Sequence, residues 1–391
     1  MAKKPPLQRK VAINPARELE VDVLDNVSEL EDDWRELQSE GTGSIYQDFD
    51  WVRIAYETFD AKNRPLVVAA REKGKLQFVL PLVLLPGIPN KIRWVGGKHA
   101  NLSYGLFSRE FLASPGETSM KDLILSLQQH VVRIAVIHLI NQPETICGFP
   151  NPMMQLSHIE GPNPLFELDL RPGLGSILDK ASNKRKRRLF RQQQRAAEAA
   201  GGYELIVPTD RKEIRLHMEE FFANKAERFR ELGIKNVFSE DRSREFMMRL
   251  ATEPPNDASQ LLRLYVLEVG GKTRAMYGGG VTGKNWQSCI NAVIYDEFAE
   301  YSPGEMIIRL MLEHLEGEDF EHFDLGLGYE RYKESWCKTR TPLFETIYPL
   351  SGAATPFKWY LEYHTHLKYG IKNNSTLWNS FKRLRKLFGR I

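Results

Sequence analysis

The densest run of residues with chemistry to offer lies between Asn291 and Trp336. Tyr329-Glu330-Arg331-Tyr332-Lys333 sets a carboxylate, phenols and an ammonium on one short turn. A carboxylate such as Glu330 can take a proton from an attacking amine or hydroxyl, and a phenol such as Tyr332 can return one to a leaving group. Lys333 can meet an anionic ligand. The same five residues also read as a solvated charged turn. Just upstream, Phe323-Asp-Leu-Gly-Leu-Gly328 puts Asp324 inside an alternating apolar strand, where a carboxylate must find a partner or line a cleft. Gly326 and Gly328 allow close approach of another backbone or a ligand.

A second candidate is Tyr301-Ser302-Pro303-Gly304, just before a helix expected from about Glu305. The free N–H groups and positive end of that helix suit a phosphate or pyrophosphate, and Gly304 would let such a ligand approach the backbone. The alternative is an ordinary helix start, with Ser302 as cap and Pro303 in the first turn. His364-x-His366 has metal-ligand spacing but no evident third ligand, so no metal is expected. Gly278-Gly-Gly280 sits in a strand and marks a bulge or a backbone approached by ligand. No G-x-S-x-G, P-loop or H-E-x-x-H occurs.

The elements that must position these residues follow from the hydrophobic pattern. In the second half, helices are expected over 178–200, 210–231, 242–252 and 305–316, with strands over 203–207, 285–294 and 322–327. Residues 261–282 read as a hairpin turning at Gly271-Lys272. The first half has the same order: helices from Ser28, capped with Glu31 in a capping box, and over 50–59, then a hairpin turning at Gly74-Lys75. A strand over 92–95, a helix over 120–131 and strands over 135–140 and 166–170 follow. The two Gly-Lys turns lie 197 residues apart, about half of the chain. This predicts a duplicated α+β architecture with mixed, largely antiparallel sheets flanked by helices. The expected divisions are a flexible lead-in over 1–20, domains over 21–173 and 174–350, and basic amphipathic helices over 351–391.

Composition limits the function classes. The 391 residues exceed one ordinary core and fit two domains. A net charge of +3 does not mark a nucleic-acid binder, and three scattered cysteines make neither a disulfide framework nor a zinc site. A reducing cytoplasm fits best. The basic N-terminus has no apolar run behind it, and Phe78–Leu85 is far too short to span a bilayer. Two segments are strongly basic. Between Asp179 and Glu198 eight Lys or Arg, from Lys180 to Arg195, would wrap a helix that suits RNA phosphates, anionic lipid, an anionic substrate or simply solvent. Phe381-Lys-Arg-Leu-Arg-Lys-Leu-Phe-Gly-Arg390 has an interfacial amphipathic pattern, touching a membrane surface or docking on the body of the protein.

Tyr301-Ser-Pro-Gly304 before a helix, then Phe323-Asp-Leu-Gly-Leu-Gly328, Tyr332-Lys333 and Trp336, resembles the CelD-type acetyltransferases of the GNAT superfamily, named for bacterial cellulose biosynthesis. Phe49-Asp-Trp51 and Leu80-Pro81-Leu82 are similar to that family's N-terminal half. The resemblance covers roughly residues 25 to 350. It implies a tandem GNAT fold related to the FemABX peptidyltransferases, with acetyl-CoA as acyl donor and no metal. The donor pyrophosphate then maps onto Ser302, Pro303 and Gly304, with Gly328 and Lys333 beside it. Asp324 or Glu330 becomes the base and Tyr332 the acid. The superfamily's Q/R-x-x-G-x-G/A loop is absent. The implied reaction is acyl transfer to an amine or hydroxyl, on a small molecule or an envelope or exopolysaccharide (cellulose) precursor, in the cytoplasm or at the inner face of the membrane. Two alternatives stand beside it: a FemABX-like transferase using aminoacyl-tRNA gripped by the basic helix, and a non-catalytic partner of a membrane-bound polysaccharide synthase.

Overall fold

The computed structural model describes residues 9–14, 17–116, 119–130, 135–179, 184–253, 261–318, 320–337, 339–374 and 376–381. The chain begins with paired strands β1 (Arg9–Asn14) and β2 (Arg17–Leu24). A loose lead-in through residue 20 is thus replaced by strand over 9–14 and 17–20, while residues 1–8 of that lead-in lie outside the described residues. The reason is a period-2 pattern: Leu19 and Val21 both enter the core. Next come α1 (Glu31–Ser39) and α2 (Phe49–Glu57). Ser28 does not cap α1; Asn26 accepts the Ser28 N–H at 3.1 Å and heads a 3-10 turn over Val27–Leu30. Then follow β3 (Arg64–Glu72), β4 (Lys75–Leu85), β5 (Asn90–Trp94), β6 (Leu106–Phe107), α3 (Arg109–Ala113), α4 (Met120–Ser126), β7 (Ala135–Pro143), β8 (Thr145–Ile146), β9 (Phe149–Pro150) and β10 (His158–Glu160).

The second run is β11 (Leu165–Asp169), α5 (Leu174–Asp179), α6 (Lys184–Ala199), β12 (Tyr203–Ile206), α7 (Arg211–Leu232), α8 (Asp241–Thr252), β13 (Arg263–Val269), β14 (Lys272–Thr282), β15 (Asn285–Val293), α9 (Pro303–Glu316), β16 (His322–Leu327), α10 (Arg331–Trp336) and β17 (Arg340–Thr341). The chain then returns through β18 (Leu343–Pro349) and α11 (Thr355–Asn373). The expected helix over 178–200 is α6 together with the end of α5; its residues 180–183, Lys180 among them, lie outside the described residues, as does the C-terminal segment beyond Phe381.

The duplication is visible in the hydrogen-bond ladders. β2–β3, β3–β4 and β4–β5 are antiparallel and β5–β7 is parallel; β12–β13, β13–β14 and β14–β15 are antiparallel and β15–β16 is parallel. Two helices separate β2 from β3, and two separate β12 from β13. Even a ladder irregularity repeats: it falls between Ala70 and Arg71 in one hairpin and between Leu267 and Glu268 in the other. That offset of 197 residues equals the spacing of the two Gly-Lys turns.

The closing strands do not follow the halves of the sequence. The first sheet runs β1-β2-β3-β4-β5-β7-β18-β10, with β6 paired to β4, and the second β12-β13-β14-β15-β16-β11-β17. The compact units are accordingly the chain up to Leu165 with Thr341–Trp378, and Phe166–Arg340 with the residues from Asn379. The expected breaks at 173/174 and 350/351 move, because β18 forms an antiparallel ladder with β7 and Phe166 and Leu168 of β11 enter the core of the second unit. In that core, Trp286 meets Tyr265 edge-on at 5.2 Å and stacks on Phe323 at 6.4 Å, while Met306, Ile307 and Met311 of α9 cover the sheet. Burying such side chains contributes about 1.5–3 kcal/mol each and makes the sheet a rigid platform for the residues at its strand ends.

Candidate active site

Within the second unit, β15 and β16 run parallel but pair only over Asn285–Gln287 with His322–Asp324. Beyond that rung β15 stays with β14 as far as Val293, so the two strands part. Asp324, opposite Gln287, marks the parting point. Its side chain is 2% exposed. Oδ1 accepts the Gly326 N–H at 2.5 Å, and Oδ2 has no partner. Burial raises its carboxyl to about 7; the Gly326 N–H opposes that shift, and Lys333 opposes it more weakly. Gly326 and Gly328 have φ of 80° and 89°, a region that disfavours side chains. These glycines therefore turn the chain out of β16, and the turn brings Lys333 back. Lys333 is 3% exposed, and its Nζ donates to the Leu327 carbonyl at 2.6 Å. Burial lowers the Lys333 ammonium, while Glu330 and Asp324 hold it up. Lys333 thus stands electrostatically between the two carboxylates, committed to the strand end rather than free for a ligand.

Tyr332 is half-buried, and its hydroxyl is shielded from solvent with no hydrogen-bond partner. It neighbours the Tyr277 phenol on β14, but no hydrogen bond of ordinary geometry joins them. Burial and then Tyr277 push its ionisation well above the ordinary phenol value, so it is a proton donor at any physiological pH. Glu330 is exposed, at the N-terminus of α10. Facing it is Lys225 of α7, lowered to about 8 by burial, with Glu330 opposing. Lys225 stands four residues after Phe221 on an otherwise apolar helix face, a pattern break that sequence inspection can find. Tyr277 offers no such signal.

The turn before α9 is held from α6. Gln193, 1% exposed, donates from Nε2 to the Tyr301 carbonyl at 2.8 Å and the Ser302 carbonyl at 3.0 Å. Ser302 is exposed with φ 56° and ψ 60°, and its side chain makes no capping bond. Ser302 is thus not a side-chain cap; its backbone carbonyl accepts the Glu305 N–H at 2.9 Å and the Met306 N–H at 3.3 Å, as at an ordinary helix start. Pro303 is buried in the first turn. A Cβ on Gly304 would lie 2.9 Å from Val293 Cγ2, so packing of α9 on β15 already accounts for glycine there. Glu305 in the same turn accepts from Trp336 Nε1 at 3.0 Å and pairs with Lys186 Nζ at 3.3 Å. Lys186 also lies 3.6 Å above the Trp336 ring. These contacts tie α6, α9 and α10 together. Gly278 and Gly279 flank a ladder irregularity in β14, and a Cβ on either would clash with β15, so the expected bulge is present.

The outer face of α6 carries Lys184, Arg188, Arg191 and Arg195, spaced i, i+4, i+7, i+11 and all exposed. None of the four makes an ion pair among the described residues. One helix therefore holds the α9 turn with one face and presents an unpaired cationic stripe on the other.

Residues 184–334 match the family described as acetyltransferase (GNAT) domain. The second unit thus carries an acyltransferase domain, and the first repeats its strand topology. No curated protein matches the sequence significantly. Among solved structures the chain is similar to FemX (11% identity, TM-score 0.51, covering 82% of this chain and 96% of that one). It is also similar to L-PGS from Bacillus licheniformis (9%, TM-score 0.50, 82% and 92%). A third is the C-terminal domain of a protein described as a lysylphosphatidylglycerol synthetase from Agrobacterium fabrum (12%, TM-score 0.50, 84% and 93%). At these identities the likeness is one of fold. GNAT folds generally take acetyl-CoA. At the start of α9 the Ser302 N–H donates to Ala299 and the Glu305 and Met306 N–H groups donate to the Ser302 carbonyl, and Pro303 has no N–H, so the Gly304 amide and the positive helix end are what this turn offers a pyrophosphate. Among the described residues no helix is long and apolar enough to cross a membrane.

Proposed function

We propose that the second unit transfers an acyl group, acetyl in the simplest case, from CoA to an amine or hydroxyl acceptor. The observation that carries this reading is Asp324: a buried carboxyl, half ionised near neutrality, with one oxygen unpartnered where β15 and β16 part. A thioester supplies an activated carbonyl and a thiolate leaving group. Asp324 takes the acceptor's proton as the new C–N or C–O bond forms, and Tyr332 gives its proton to the thiolate as the C–S bond breaks. Exposed Glu330 is better placed to orient a charged acceptor against Lys225 than to act as the base. The Gly304 N–H and the positive end of α9 beside Ser302 hold the donor's pyrophosphate, and Gly304 and Pro303 shape that end by packing. An envelope or exopolysaccharide precursor as acceptor, in the cytoplasm, is the form of this reading that the CelD resemblance suggests.

The stripe on α6 favours a second reading, in which the donor is an aminoacyl-tRNA and the four unpaired cations meet its phosphates. Calorimetry with acetyl-CoA, free CoA and total tRNA decides between them. The αL backbone of Ser302 tolerates aspartate, so Ser302→Asp adds a carboxylate at the helix end without strain. Micromolar CoA binding, weakened at least about tenfold in Ser302→Asp and unchanged in R188Q/R191Q/R195Q, supports the first reading. Salt-sensitive tRNA binding lost in the triple variant, with no CoA binding, replaces it by the second. Neither ligand bound, together with full biological activity of a D324N/Y332F protein, leaves the synthase-partner role.

A further inference from the structure

The helix α11 turns a strongly apolar side outward. The side that meets its own unit mixes half-buried Leu361 and Tyr369 with polar contacts: Thr365 is buried and donates to Glu345 Oε2 at 2.9 Å, and Lys372 donates to Asn163. The opposite side carries Trp359, Tyr363 and Leu367, four residues apart, with Tyr360 beside them. They are 62%, 65%, 44% and 53% exposed. Of the ten large hydrophobic side chains exposed among the described residues, six lie between Trp359 and Phe381. A soluble surface rarely leaves such a contiguous aromatic patch uncovered, and tryptophan and tyrosine are the residues that favour a membrane–water boundary.

Charge identifies what covers it. Residues 355–391 hold eight of the chain's 54 Lys and Arg but one of its 51 Asp and Glu, so this segment is +7 and the preceding 354 residues are −4. The sequence after α11 runs directly into Lys382-Arg-Leu-Arg-Lys386. A protein whose body is acidic and whose aromatic helix and following tail are basic is built to meet an anionic surface with that end. We infer that α11 lies on the surface of an anionic lipid bilayer, with Trp359, Tyr363 and Leu367 in the headgroup region, and that the positive charge of the sequence following it favours anionic lipid. This holds whatever acyl donor the second unit uses, because none of these residues belongs to the transfer site.

Co-sedimentation of the full chain with vesicles tests it. Phosphatidylcholine vesicles containing phosphatidylglycerol should carry the protein down, and pure phosphatidylcholine vesicles should do so far less. The W359S/Y363S variant should bind the mixed vesicles at least about tenfold more weakly with an unchanged circular dichroism spectrum, and K382Q/R383Q/R385Q/K386Q should also weaken binding. Absence of binding to the anionic vesicles overturns the inference. So does undiminished binding by W359S/Y363S, which would assign adsorption to the tail alone. Light scattering that shows a dimer broken by W359S/Y363S, with no vesicle binding, would instead seat a second copy of the chain on this face.

Discussion

Gln193 and Ser302 are joined by a hydrogen bond of 3.0 Å, in which one buried side-chain amide holds the carbonyl of the exposed residue that opens α9. The same nitrogen donates to Tyr301. Removing it leaves two carbonyls without that partner. Gln193→Leu should lower stability by about 1–3 kcal/mol in denaturant unfolding. Donor affinity should fall by more than the Lys184 to Arg195 stripe would explain, because the stripe is untouched. An unchanged donor affinity would separate the turn from the donor site.

Asp324 ties rate and stability to pH in opposite directions. Its carboxyl is raised from the ordinary 3.8 to about 7, so the fraction able to accept a proton grows as pH rises through 7. The transfer rate should rise over that interval, and Asp324→Asn should abolish the rise along with most of the activity. Stability has the reverse sign. The folded state holds this proton between about pH 4 and 7 where the unfolded state has released it. The group's contribution is therefore full below about 4 and lost as pH climbs through 7. Melting temperature of Asp324→Asn relative to the parent should increase from pH 5 to pH 8. A constant difference would mean that Asp324 does not titrate there.

Tyr332 has an unpartnered hydroxyl shielded from solvent, which costs stability. Tyr332→Phe should keep or slightly raise the melting temperature. It should also slow the chemical step by about 100-fold in single-turnover measurements, with donor affinity unchanged. A rate within a factor of about two of the parent would assign the proton to another group.

Much of the second unit was legible because its helices and strands have regular apolar periods: β16 falls on His322–Leu327 as read from Phe323, Leu325 and Leu327 alternating with polar or small residues. Asp324 stood out as the one carboxylate of that strand, but it falls on the polar phase, and its burial shows only in three dimensions. What escaped was long-range. Nothing near Leu343–Pro349 says that it pairs with β7 rather than with its sequence neighbours, since strand partners share no local code. β1 was lost because a basic, proline-flanked segment hides two short strands. Glycine roles also need three dimensions. Gly304 reads as an opening for a ligand but faces Val293, and Gly326 and Gly328 read the same way but serve a backbone conformation. Gln193 was detectable in principle, as the one amide on the apolar side of α6 beside Leu189, Phe190 and Ala197.

The exchanged closing strands set a timetable for synthesis. Among the described residues β10 pairs only with β18, and β7 gains its second neighbour only from β18. While the ribosome is still adding residues 166–340, the first sheet has an open edge at β7, although its residues emerged first. The second sheet, whose strands from β11 through β17 are all made by Thr341, can be complete earlier. The second sheet can therefore close before the first, against the usual N-terminal-first order, and truncation before Leu343 would leave the first sheet open rather than the second.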